Sequence, residues 1–440
     1  MPVVGATVGP GTGQDYAPHN LSSPPVRALV FGTDPDPVTS PLPADANRLE
    51  QNLRGTPMGI REIDDPEPIG PDWVVMRTRL CGICGSDTKQ VFMDTGGDWP
   101  DAGMTAFISF PQVLGHEVVG TLTEVGPDAQ ARGLEAGQRV LLQCWLSCAP
   151  RGISPVCPAC EAGDYELCWN FLDGRLAPGI HVGNSADATG GFGELVPAHA
   201  SMAIAVPDDV SDEVAVLADP FAVALHSVTR TPPPTGGKVV VWGAGALGAS
   251  AVAVLRALHP SVEICVVART AAQQALVKQL GAHHVVPSDQ EPLAIVEALA
   301  AWSGGVLREP WDGLPIAHPG FVDNVYDTIG APSTLEQALR VMKPRGWISV
   351  TGVNAPGRFE WSPWYFNEIR IVGSNAFGIE EVDGVRKHAI EHYLDMVRAG
   401  RVDISPMLTH TFRLDQWREA FTTLARQDRT GAIKVAFDYR

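Results

Sequence analysis

Between about residues 26 and 210 the apolar positions come in short runs: "VRALVFG", "DWVVMRTRL", "EVVGTLTEVG", "QRVLLQC" and "ELVPAHA", separated by Gly and Pro. Runs of that length and spacing predict the strands of a compact β-rich domain or barrel. From about 236 to 375 the texture changes. The strand-like runs "KVVVWG", "SVEICVVA", "HHVV", "VDNVYDT" and "WISVTG" alternate with helical stretches such as "AAQQALVKQLG" and "STLEQALRVMK". That alternation predicts βαβ units around a parallel sheet. Residues 376–440 read as one long helical stretch, "VDGVRKHAIEHYLDMVRAG", then "HTFRLDQWREAFTTLARQ" and a closing strand "GAIKVAFDY" that could rejoin the first domain. Segments 93–112 and 303–320, dense in Gly, Pro and Trp, read as surface insertions.

The longest uncharged apolar run, "VVVWGAGALGASAVAVL" at 239–255, approaches membrane-spanning length. A Gly-rich turn interrupts it, so a buried strand and helix is the better reading. A length of 440 residues predicts two or three domains, and 45% hydrophobic with 19% charged residues fits a soluble globular protein. Lys and Arg number 32 against 50 Asp and Glu, a formal net charge of −18. Such an excess repels a phosphate backbone or an anionic bilayer, so neither a nucleic-acid nor a membrane partner is expected. Residues 1–24 lack the pattern of a secretory signal and read as a flexible tail, which favours a cytoplasmic location. In a reducing compartment clustered Cys more often binds metal than forms disulfides. Seven of the eight Cys fall between 81 and 168; the eighth, Cys265 in "VEICVVA", reads as a core residue.

Gly243-Ala-Gly245-Ala-Leu-Gly248 follows a strand-like run and opens an Ala-rich helix. In that context the glycines serve a tight turn, close approach of backbone to a pyrophosphate, and packing of helix on sheet. The helix start at Ala246 and Leu247 supplies positive partial charge. About 20 residues on, an acid would hold the ribose hydroxyls of NAD. Here Ala268 stands in that place and Arg269 follows, a cation suited to a 2′-phosphate. NADP is therefore favoured over NAD.

"CGICGSD" at 81–87 can be a redox pair, a metal ligand or core residues. Taken with "VLGHEVVG" at 113–120 and "LADPFAVALHSV" at 217–228, it makes the chain resemble the zinc-dependent medium-chain dehydrogenase/reductase family of alcohol, polyol and threonine dehydrogenases, over roughly residues 25–440. The resemblance implies a catalytic zinc held by Cys84, His116 and Asp219, with Glu117 able to enter the shell, Asp87 orienting the site and Ser86 in the hydroxyl relay. Lys89 stands where many alcohol dehydrogenases continue the relay with His, and it is left outside the catalytic set. Cys81 falls outside the match and reads as a packed strand residue. Cys157, Cys160 and Cys168 match three ligands of the family's structural zinc lobe. Ser154 stands near where the fourth is placed, so Cys148 is chosen, with Cys144 in reserve. His226, His199 and His410 read as satisfied core residues.

The fold so implied is α/β: a β-rich GroES-like catalytic domain (25–219 and 376–440, with the zinc lobe near 144–168) and a Rossmann domain with a doubly wound parallel sheet (220–375). The implied chemistry is hydride transfer between NAD(P) and a small-molecule alcohol, a secondary alcohol or polyol, in a homo-oligomer. Alternatives are a zinc-free enoyl or quinone reductase of the same superfamily and a non-catalytic NADPH-binding module. NADP should give the higher kcat/KM; a clear preference for NAD would refute the reading of Arg269.

Overall fold

The computed structural model describes residues 26–38, 41–94, 103–354 and 357–440. The expected tail lies outside them, as does part of the insertion at 93–112. The five β-like runs of the first half are all strands, but they are not equivalent. Trp73–Gly82 is the longest and carries three neighbours: Glu117–Val125 along most of its length, Leu195–His199 beside its first half and Lys434–Asp438 beside its last residues. Two register shifts against Glu117–Val125 let it bend enough to serve all three. The sheet continues through Arg139–Leu142 to Ala203–Ala205 on one side and to Leu408–Phe412 on the other. Val26–Phe31, Met58–Ile63 and Gln112–Val113 form a smaller sheet.

The second half holds six parallel strands in the order His284–Pro287, Glu263–Ala268, Lys238–Trp242, Val322–Asp327, Met342–Val350, Arg370–Gly373. Strand order reverses between Lys238–Trp242 and Val322–Asp327, where a doubly wound sheet leaves a crevice for ligand. The apolar run at 239–255 is the buried strand Lys238–Trp242 and the helix Ala246–Leu258. Among the described residues no helix is long and apolar enough to cross a membrane.

Two helical readings are corrected. "STLEQALRVMK" is a helix only from Pro332 to Leu339, and Met342 already opens a strand. Pro344 could not continue the helix, and Val341 and Met342 are wholly buried against the sheet instead. "VDGVRKHAIEHYLDMVRAG" begins as a hairpin, Ile379–Val382 with Val385–His388, and turns helical only at Ala389–Arg398. Asp383 (φ 53°) and Gly384 (φ 77°) make the two-residue turn with both φ positive that Asp-Gly favours. Period alone concealed that turn.

The closing strand Lys434–Asp438 does rejoin the first sheet, antiparallel to Trp73–Gly82. Helix Ala389–Arg398 packs instead on helix Ala218–Arg230, with the Phe221 and Tyr393 rings 4.8 Å apart. Both belong to one apolar cluster that also takes in Leu80 and Val119 of the first sheet and Val239 and Val241 of the second. The segment 303–320 is a surface hairpin, Leu307–Arg308 with Ile316–Ala317, and it leaves Trp311 exposed.

A Cβ at Gly384 would meet no neighbour, so the cost of Gly384→Val is one of backbone alone. It should destabilise the protein by about 1–2 kcal/mol, read as a lower denaturation midpoint.

Candidate active site

The register of two strands builds the centre of the site. Gly82 pairs with Glu117, so the residues just past one strand end and just before the other meet: Cys84 and His116. Cys84 is the N-cap of helix Gly85–Val91, and its N–H donates to Asp87 Oδ2 at 2.8 Å. Asp87 Oδ1 lies 3.9 Å from His116 Nδ1, so one buried carboxylate steadies both residues. Gly115 (φ +89°) turns the chain into His116. A Cβ there would stand 2.5 Å from the Phe192 ring and 2.7 Å from Cys81 Sγ.

Ligand atoms of Cys84, His116 and Glu117 lie within 4.8 Å of one another. Asp219, in the first turn of helix Ala218–Arg230, is buried beside them rather than inside that set. Burial and the neighbouring Glu117 push its carboxyl up to about 7. Glu117 is ion-paired with Lys434, whose Nζ also donates to Ile83 O at 3.0 Å. Burial would lower His116, but the negative charges of Cys84, Asp87 and Asp219 hold it well above its ordinary value. His116 Nδ1 and Asp219 Oδ2 are both buried with no hydrogen-bond partner. A thiol, an imidazole and carboxylates crowded out of water, with two polar atoms unsatisfied, fit the donor set of a zinc ion.

Ser86 is exposed on the first turn of the same helix, and Lys89 is half-buried further along it. Cys81 is wholly buried in the sheet, where burial pushes its thiol up, as suits a packing residue better than a redox thiolate.

The second cysteine group is Cys148, Cys157, Cys160 and Cys168, all four Sγ atoms within 4.8 Å of one another. Cys148 and Cys168 are 3.6 Å apart and Cys157 and Cys168 4.0 Å. A tetrahedral site with Zn–S of about 2.3 Å sets its sulfurs about 3.8 Å apart. Backbone N–H groups of Cys157, Trp169 and Asn170 point at these sulfurs. Burial opposes ionisation of Cys157, yet the N–H groups of Trp169 and Cys160 help bring its thiol down to about 6. Cys144 stands apart. It is wholly buried near Asp219 and Cys84, whose charges together with burial push its thiol up.

At the crevice of the parallel sheet each glycine has a distinct reason. Gly243 has φ +91°, and a Cβ there would lie 2.5 Å from Thr328 Oγ1. At Gly248 it would lie 2.0 Å from Gly243 O, so only Gly lets the helix close on the turn. Gly245, the N-cap of helix Ala246–Leu258, faces open space, as approach of a pyrophosphate to Ala246 and Leu247 requires. Ala268 is buried at the end of its strand. The next residue, Arg269, is exposed and donates to Gln427 Oε1 at 2.8 Å. A cavity of about 480 Å³ there is lined by Arg269, Thr270 and Ala271, and by Asp289, Ala425 and Asp428.

His199 is buried and bonded to Asp72 (2.9 Å), and His226 is buried and bonded to Glu380 (2.5 Å). His410, expected in the core, is half-exposed, because its strand Leu408–Phe412 is the outermost of its sheet. Sequence reasoning missed Lys434 and His181. Lys434 is a lone cation in the apolar run "GAIKVAFDY". The His181 ring centroid lies 4.4 Å from that of His116, and Nδ1 donates to Val182 O at 2.7 Å. Burial and the charge of His116 push His181 down to about 3. Its only sequence signal was one His in a loop without a motif.

Comparison with known proteins bears on the whole arrangement. Residues 70–208 match the model of the alcohol dehydrogenase GroES-like domain, and residues 246–391 that of the zinc-binding dehydrogenase. An uncharacterized zinc-type alcohol dehydrogenase-like protein, YdjL of Escherichia coli K12, is 29% identical over 387 residues, 87% of this chain and 96% of that protein. L-threonine 3-dehydrogenase of Pyrococcus furiosus is 29% identical over 376 residues, 84% of this chain and 93% of that enzyme. In fold, 2R,3R-butanediol dehydrogenase from Bacillus subtilis is similar with a TM-score of 0.68 at 21% identity, covering 94% of this chain and 100% of that one. A zinc-binding dehydrogenase from Sinorhizobium meliloti 1021 bound to NADP gives 0.68 at 23% identity, with the same coverage. A GroES-like unit joined to a nucleotide-binding unit, with a thiol and imidazole cluster, defines a zinc-binding dehydrogenase. The chain belongs to the zinc-dependent medium-chain dehydrogenase/reductase family.

Metal analysis should return two zinc ions per chain, one after Cys148→Ser and two after Cys144→Ser. The reverse pattern would make Cys144 the fourth ligand of the lobe.

Proposed function

We propose that the chain is an NADP-preferring dehydrogenase of secondary alcohols or polyols, with Cys84, His116 and Asp219 holding the catalytic zinc and Cys148, Cys157, Cys160 and Cys168 the structural one. The observation that carries this is the buried cluster in which His116 Nδ1 and Asp219 Oδ2 lack partners beside Cys84. Zinc would polarise the oxygen of the reacting carbinol or carbonyl, and NADP would take or give the hydride. The chain's own groups do the rest. Asp87 holds Cys84 through its N–H and lies against His116, so the two stay in register. Lys434 is ion-paired with Glu117, which lies close enough to Cys84 and His116 to enter the shell. Ser86, exposed two residues after Cys84, offers a hydroxyl through which the alcohol proton would leave. Gly243, Gly245 and Gly248 would admit the pyrophosphate, and Arg269 would hold the 2′-phosphate.

The working division is a catalytic domain of residues 25–219 and 376–440 and a cofactor domain of 220–375. A zinc-free reductase is disfavoured, because it has no use for a buried cluster of Cys84, His116 and Asp219 in which His116 Nδ1 and Asp219 Oδ2 lack partners. We also propose a cytoplasmic homo-oligomer. Trp361, Trp364, Tyr365 and Phe366 are exposed beside Arg370–Gly373, the outermost strand of the parallel sheet, and all eight thiols are free.

Cys84→Ala should remove alcohol-dependent reduction of NADP by more than the about 10–100-fold typical of losing a residue outside the ligand shell. Circular dichroism and NADPH binding should be unchanged. Full activity in that variant would dispose of the assignment.

A further inference from the structure

Away from both cysteine clusters, at the start of the long strand Trp73–Gly82, a serine, a histidine and an aspartate stand in line. Ser201 Oγ lies 2.7 Å from His199 Nδ1, and His199 Nε2 lies 2.9 Å from Asp72 Oδ2. Strand pairing builds the row. His199 ends its strand opposite Trp73, beside Asp72, and Ala200 N donates to Asp72 O at 2.8 Å. The pairing that gathers Cys84 and His116 lies at the other end of the same long strand. At about 3.3 Å per residue, the strand's length puts the two places roughly 30 Å apart.

The partners of the ring locate its hydrogen. Ser201 N–H also points at Nδ1, at 3.1 Å, and an N–H only donates, so Nδ1 is an acceptor and Nε2 carries the hydrogen that Asp72 receives. The Ser201 hydroxyl then donates to Nδ1, the arrangement in which an imidazole draws the proton from a nucleophile. Burial pushes His199 down against the pull of Asp72, helped by the charges of Arg132 and Arg175, so at neutral pH the ring is an uncharged base. Burial would raise Asp72, but His199 and Arg175 hold it below the usual carboxylate range. The ring is buried and pinned. Trp73 packs edge-on to it at 6.0 Å, and Arg175, above the Trp73 ring, lies 3.2 Å from Asp72 Oδ1. Ser201 is exposed. Capping the turn Ala200–Met202 needs only the N–H of Ser201, and explains neither the hydroxyl in front of the ring nor the carboxylate behind it.

We propose that Ser201, His199 and Asp72 form a second, metal-independent site that hydrolyses small activated esters. Ser201 Oγ attacks the carbonyl carbon while His199 Nδ1 takes its proton. The bond from that carbon to the leaving oxygen breaks, and the proton departs with the alcohol. Water, deprotonated by the same nitrogen, then splits the acyl–Ser201 bond, which releases the acid and restores the hydroxyl. Ser201 and His199 are the catalytic residues, and Asp72 positions the ring. Arg132, exposed just past helix Pro127–Ala131, and Arg175 supply positive charge near the ring as the carbonyl oxygen turns negative. Because Ser201 stands exposed on a short turn, a short acyl group such as acetyl has direct access to it.

p-Nitrophenyl acetate and a fluorophosphonate are the probes. The parent should release p-nitrophenol at least about tenfold faster than Ser201→Ala, after subtraction of the buffer rate. Mass spectrometry should find the phosphonate on Ser201. Ser201→Ala alters an exposed side chain and should oxidise alcohols as the parent does, whereas Cys84→Ala should keep ester cleavage, so the two activities fail separately. The cleavage rate should fall only below the ordinary imidazole value of about 6.5 and stay level above it, because the neutral ring is the base. Asp72→Asn, by removing the charge that favours the protonated ring, should move that midpoint lower, which loss of a merely structural aspartate would not do. Equal release by the parent and Ser201→Ala, a phosphonate found elsewhere than on Ser201, or a rate that climbs without a plateau through about pH 9 would overturn the proposal.

Discussion

The antiparallel pairing of Trp73–Gly82 with Glu117–Val125 is the constraint from which the site follows. Its register sets Gly82 opposite Glu117, and thereby brings together two residues 32 positions apart, Cys84 and His116. The same long strand takes Lys434–Asp438 along its end, which places the Lys434 ammonium on the Glu117 carboxylate. A slip of one residue would turn every side chain to the other face and scatter the cluster. Backbone pairing, more than contacts among these side chains, thus brings Cys84, His116, Glu117 and Lys434 together.

The two clusters able to hold a metal ion are built in different ways. The four-cysteine lobe is local: all its sulfurs come from 21 consecutive residues, Cys148 to Cys168, and nearby N–H groups are aimed at them. The other cluster draws on three distant stretches and has Lys434 as its buried counter-ion. The first suits a fixed staple. The second pairs a buried carboxylate, Glu117, with a buried ammonium, Lys434, which the lobe has no counterpart of.

Much of this was legible in the chain because it rests on short-range chemistry. The glycines at 243 and 248 stand where a side chain would clash, Gly245 where a pyrophosphate needs room, and Cys157, Cys160 and Cys168 carry the family's lobe spacing. The alternation of strand and helix after residue 236 gave the parallel sheet. What stayed hidden depends on tertiary placement. Lys434 and His181 are single polar residues without a pattern, and only strand pairing and a loop laced to two others bring them to the site. The hairpin at 379–388 was concealed for another reason: its Asp-Gly turn is a local signal, outweighed in the reading by the helical period of the residues that follow.

Arg269 carries a further consequence. Its guanidinium is hydrogen-bonded to Gln427, which leads into the strand Lys434–Asp438 of the sheet that carries Gly82 and Glu117. The residue proposed to meet the cofactor's far end is therefore also a tether between the two halves of the molecule. Anyone redesigning this position to accept the other dinucleotide would cut that tether too.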